Sequence, residues 1–135
     1  NGETYKKVLQ IIRNTAELAI KSENKSLKEI GELLFKSLDD IEDCSVWLID
    51  KYEENPEISA AGATPFLNMF GWVLGGWVMV DSANKSQLII LKDKNNKFAK
   101  EKINTASFFC NTYLPLASSL QNTIKKSFYA LENFN

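Results

Sequence analysis

Histidine is absent from this 135-residue chain, and with it go the commonest general base near neutral pH and the commonest metal ligand. Catalytic triads and ordinary zinc sites are thereby excluded. Arginine is almost absent too: Arg13 is the only one and the other basic residues are lysines, so two-pronged clamping of phosphate or carboxylate has little material. The two cysteines, Cys44 and Cys110, stand far apart outside any CxxC pattern, each on an apolar stripe. They read as buried reduced thiols rather than a disulfide, which suits a cytoplasmic protein. An excess of either charge is also missing, with 16 Lys and Arg against 17 Asp and Glu interspersed along the chain. That balance argues against a nucleic-acid partner and against a polybasic membrane face. The uninterrupted apolar stretch from Met69 to Val80, bounded by Asn68 and by Asp81, Asn84 and Lys85, falls short of the about 20 residues that span a bilayer, so no membrane span is expected. No secretory leader is visible, and the start Asn1-Gly2 without an initiator methionine reads as a segment of a longer polypeptide.

What is present is helical periodicity. The length suits a single domain, residues 1–135, able to bury roughly two-thirds of its unfolded surface without metals or disulfides. From Thr4 to about Ser22, Tyr5, Val8, Leu9, Ile12, Ala16, Ala19 and Ile20 recur at threes and fours, the mark of an amphipathic helix. Ser26 and Glu29 are spaced as a capping box for a second helix, whose stripe runs from Leu27 through Leu34 and Ile41 to Tyr52 and which Asn55-Pro56 should end. The acidic cluster Asp39, Asp40, Glu42 and Asp43 falls on its polar side and reads as solvated charge. Ser59 to Ala63 reads as a loop, and a third helix is expected from Pro65 to about Lys92, although Leu88 to Leu91 alone would pass for a short strand. After the turn Asp93 to Asn96, Ile103, Ala106, Cys110, Tyr113, Ala117, Leu120, Ile124, Phe128 and Leu131 form the clearest stripe of the chain. Pro115 should kink that fourth helix without dividing it, because the stripe keeps phase across it. Four amphipathic segments on short turns describe an all-α, antiparallel up-and-down four-helix bundle.

The third helix holds the most informative residues. Thr64-Pro65 reads as N-cap and first helical residue; a start near Ser59 with a bend at Pro65 is the alternative. Gly71, Gly75 and Gly76 each cost roughly 1 kcal/mol relative to alanine inside a helix, a cost that close approach of another backbone offsets. Gly71 and Gly75 stand four apart on one face, flanked by Phe70 and Trp77, and the neighbour expected to use that face is the fourth helix. Thr64, Pro65, Phe66, Phe70, Gly71, Gly75, Gly76 and Trp77 are accordingly the candidate close-packing or interface residues. No catalytic, cofactor-binding or metal-ligating residue is nominated.

The order Ala63-Thr64-Pro65-Phe66-Leu67, Phe70-Gly71, Gly75-Gly76-Trp77 resembles the signature of the extra C-terminal helical domain found in one branch of the acyl-CoA dehydrogenases. A second block, Ile103-Asn104-Thr105-Ala106-Ser107-Phe108-Phe109 followed by Tyr113-Leu114-Pro115, is similar to that family's K-I-x-T-A-x-F-Y and L-L-P segments. The chain departs from the pattern at Asn68, where the family often has arginine, and at Phe109, where it often has tyrosine.

The resemblance implies a domain appended to a flavoenzyme that binds FAD and removes hydrogens from the α and β carbons of an acyl-CoA thioester in fatty acid metabolism. In that family a glutamate of the core takes the proton and the flavin takes the hydride, and neither part lies in these residues. Implied partners are the preceding dehydrogenase core domains of the same chain, further copies in a homo-oligomer, and, for the full enzyme, acyl-CoA and an electron-transfer flavoprotein. A different class stays open: a free-standing helical module that binds a protein partner or a hydrophobic ligand, lined by Phe66, Phe70, Trp72, Trp77, Phe108 and Phe109.

Overall fold

The computed structural model describes residues 2–134, and they fold as helices: α1 (Gly2–Ile20), α2 (Lys25–Glu54), a short α3 (Pro56–Ala60), α4 (Ala63–Lys92) and α5 (Lys97–Phe134). The four long helices make an all-α bundle in which chain direction alternates. Its cross-section is a flattened diamond. Helices α2 and α4 are the inner pair; α1 packs against both from one side and α5 against both from the other.

Buried positions repeat at threes and fours on every long helix: Leu9, Ile12, Ala16 and Ala19 on α1; Leu34, Leu38, Ile41 and Cys44 on α2; Met69, Val73, Gly76 and Val80 on α4; Ile103, Ala106, Cys110 and Leu114 on α5. They fuse into one hydrophobic cluster, so each helix is held by the stripe that its sequence announces.

The helix ends differ from the expected ones. Asn24, not Ser26, caps α2, its side-chain oxygen accepting from the Leu27 N–H at 3.2 Å while its amide donates to Gln87 on α4 at 3.0 Å. Ser26 and Glu29 therefore lie inside the first turns, and no capping box forms there. Asn55 ends α2 with its N–H on the Lys51 carbonyl, but Pro56 at once opens α3, the first position of a helix being the one where a missing N–H costs nothing. The expected loop from Ser59 is thus partly helical. Helix α4 begins at Ala63 on the backbone of Gly62, whose carbonyl accepts from Phe66 N–H at 3.0 Å with no side-chain cap. Thr64 is consequently not an N-cap. Pro65 fits within the first turn because those N–H groups have no intrahelical partner. Leu88 to Leu91 are helical, and α5 runs unbroken through Pro115. Its start is capped by Asn96, whose side-chain oxygen accepts from Ala99 N–H at 2.9 Å.

Candidate functional site

Helix α4 carries every nominated residue, and its neighbours distribute them to three sides. Toward α5 lie Gly75 and Gly76. A β-carbon on Gly75 would stand 2.7 Å from Cζ of Phe109, and one on Gly76 2.8 Å from Cδ2 of Leu114. The glycines therefore admit side chains of α5, and the Cys110 thiol reaches the Gly76 carbonyl at 4.0 Å. Beside them Trp72 stacks face to face on Tyr113, centroids 4.7 Å apart and planes 5° apart, with Phe109 against Tyr113 at 4.8 Å.

Toward α1 lie Phe66, Phe70 and Trp77. Phe70 stands 6.4 Å from Phe66 and 6.2 Å from Tyr5. The Trp77 indole donates to the Thr15 hydroxyl at 3.0 Å, and two turns further along, buried Asn84 donates to the Thr15 carbonyl at 3.1 Å. Thr15 is thus a polar latch between α1 and α4, a role that neither its position in the sequence nor that of Asn84 announced.

Outward lie Thr64 and Gly71, with Pro65 half-buried between the sides. Gly71 corrects the expectation of a shared glycine face: nothing comes within 4 Å of where its β-carbon would be. Four residues exceed a helical turn by about 40°, enough to carry Gly71 past the reach of Phe109. The glycine pressed against backbone is Gly31, which its sequence position alone did not mark out. A β-carbon on Gly31 would meet Ala19 Cβ at 2.8 Å and two backbone atoms of α1, the Ala16 oxygen and the Ile20 nitrogen, each at 2.9 Å. An isolated glycine in the middle of a predicted helix was the available signal.

The ionisable groups are structural in their surroundings. Arg13 donates to Glu42 at 2.7 Å and Asp39 at 3.1 Å and lies 4.5 Å over the Phe35 ring. Burial works to lower its pKa, but these hydrogen bonds outweigh it and raise the pKa. Burial raises the Cys44 thiol above its ordinary value and pushes Cys110 up to about 12, so both free thiols stay protonated and unreactive at neutral pH. Among the described residues no group of three or more His, Cys, Asp or Glu is placed to hold a metal.

A family profile described as acetyl-CoA dehydrogenase C-terminal like matches residues 8–131. The chain belongs to that family. The match takes in about two-thirds of α1, nearly all of α5 and the whole of α2 and α4, so the family domain is the bundle itself. No curated protein and no solved structure matches the chain.

In this family domain α4 also leaves apolar surface outside, at Leu67, Val78, Leu88, Ile89 and Leu91. By length and composition it is long and apolar enough to cross a membrane, and 22% of that apolar window is buried within the chain. Its outer stripe, Leu67, Gly71, Leu74 and Val78, repeats at fours and threes; Leu67 is 68% and Val78 58% exposed, while Leu74 is half-buried against the core.

Proposed function

We propose that this chain is the accessory C-terminal helical domain of a FAD-dependent acyl-CoA dehydrogenase, supplying packing and assembly surface while the desaturation of the acyl-CoA thioester runs in the preceding core. The outer stripe of α4 carries the reading. A helix that is apolar all round is normally covered all round, and here the side bearing Gly71 and Val78 is open. We take its cover to be protein: the dehydrogenase core of the same polypeptide or a second subunit of a homo-oligomer, with no lipid bilayer and no nucleic acid involved.

FAD, acyl-CoA and an electron-transfer flavoprotein belong in this reading to the core, and the compartment is the cytoplasm, with which two buried free thiols agree. The residues here do not suit a flavin. The one arginine is committed to Asp39, Glu42 and Phe35, and one face of Trp72 is covered by Tyr113. No step of the desaturation passes through this chain.

The test is direct. Purified chain should be colourless and should not oxidise acyl-CoA with an artificial electron acceptor, whereas removing it from the enzyme should lower assembly or thermal stability. Yellow flavin absorbance or turnover by the chain alone would overturn the proposal.

A further inference from the structure

A groove opens at the end of the bundle where the N-terminal turns of α1 and α4 meet the C-terminal turns of α2. Three connected lobes form it. The middle lobe lies against Tyr5, Leu48 and Phe66, one lobe of about 530 Å³ extends past Tyr52 and Glu53, and another runs between Lys6 and Val46 toward Arg13. Along α2 it reaches from Glu42 to Glu53, roughly 16 Å at the helical rise. That is about three turns of a docked helix. Val46, Ile49 and Tyr52 protrude beside it at 60%, 61% and 58% exposure, repeating every three residues as one ridge of a helix surface does.

Charge selects the occupant. Beside the wide lobe, residues 50–57 contain Asp50, Glu53, Glu54 and Glu57 against the single base Lys51. Lys51 pairs with Glu54 at 3.1 Å, while Asp50, Glu53 and Glu57 make no ion pair among the described residues. The opposite lobe is bordered by Lys6. An acidic rim of this kind repels anionic lipid and carboxylate-headed apolar molecules and attracts a cationic segment. A three-turn apolar channel between helices matches the helix-in-groove mode of peptide recognition.

We propose that this groove docks an amphipathic helix of a partner polypeptide, its apolar face against Tyr5, Ile49 and Phe66 and its lysine- or arginine-bearing end over Asp50 and Glu53. The groove meets the α4 stripe at Leu67, which lines its wide lobe, but Ile49 lies on α2 and Val78 lies outside the groove, so substitutions at those two positions test the two surfaces independently.

Fluorescence anisotropy of the whole chain with a labelled leucine–lysine model helix tests it, with a leucine–glutamate helix and phosphatidylcholine–phosphatidylglycerol vesicles as comparisons. The leucine–lysine helix should bind at least about tenfold more tightly than the leucine–glutamate one, and Glu53→Lys should weaken it about two- to fivefold. Ile49→Asp is decisive. It adds negative charge, which would strengthen purely electrostatic attraction, yet it should weaken the leucine–lysine helix at least about tenfold by spoiling the apolar contact. Ile49 is largely exposed, so the variant keeps the fold, and far-UV circular dichroism checks that. Undiminished binding to Ile49→Asp, equal binding of both helices, binding of vesicles instead of the helix, no binding at all, or a homodimer that Ile49→Asp dissolves would each overturn the proposal.

Discussion

Replacing Gly31 by alanine should destabilise this bundle even though alanine is the better helix former. On propensity alone the change stabilises α2 by about 1 kcal/mol. Against that stand the three atoms of α1 within 2.9 Å of the new β-carbon, two of them backbone, where carbon contacts ordinarily settle at about 3.5 to 4.0 Å. A side chain could rotate out of the way, but the Ala16 oxygen and Ile20 nitrogen move only if α1 does. That helix is pinned to α2 through Arg13 and to α4 through Thr15. Overpacking costs about 1 to 3 kcal/mol, and a rigid neighbour puts this case toward the top, leaving a net loss of about 1 to 2 kcal/mol. For a chain of this size that corresponds to a fall of roughly 3 to 10 °C in Tm, read by thermal unfolding followed by circular dichroism. Adding Ala19→Gly should restore little, because the two backbone contacts remain. A Gly31→Ala protein melting at or above the parent temperature would refute the close α1–α2 approach.

At Gly71 the same substitution should act in the opposite sense: Gly71→Ala meets nothing within 4 Å and should raise stability by about 0.5 to 1 kcal/mol, so a lower Tm would mean that its surface is already covered in the isolated chain. Thr15→Val removes the acceptor of the Trp77 indole and should cost about 1 to 3 kcal/mol, with Trp77 fluorescence shifting to report the loss. Stability should be level through neutral pH and fall above about pH 9, by about 1.4 kcal/mol per pH unit for Cys110, because the native state holds a thiol proton that the unfolded chain releases; that group is buried, with its pKa raised to about 12. Cys110→Ala should flatten this decline, and an unchanged alkaline slope would contradict it. Arg13→Ala should lower stability by about 1 to 2 kcal/mol, more than exposed pairs contribute, because its side chain is 17% exposed and shared among Glu42, Asp39 and Phe35; unaltered urea unfolding would show the network to be inert.

Periodicity made the bundle legible because every long helix buries a stripe at threes and fours, and Leu88 to Leu91 followed the helix that precedes them. Caps were less legible. Asn24 and Ser26 are both good N-cap residues, and the choice between them depends on the contact of Asn24 with Gln87, sixty-three residues away. Glycine roles were legible by type and not by direction. Sequence spacing put Gly71 beside Gly75, but the reach of one phenylalanine on α5 separates them, and only the packing of α1 on α2 shows that Gly31 is the most constrained. Asn84 was read as a polar break after an apolar run, whereas its amide is spent on the Thr15 carbonyl.

The assembly role rests most directly on the outer side of α4, and Val78→Asp probes it. Val78 is 58% exposed, so the variant chain alone should keep its Tm within about 0.5 kcal/mol of the parent's stability. In the complete enzyme, sedimentation velocity should show the domain released from its core or the oligomer split, because an unpaired carboxylate would be buried in an apolar contact. An enzyme carrying Val78→Asp that sediments as the parent does would contradict the account.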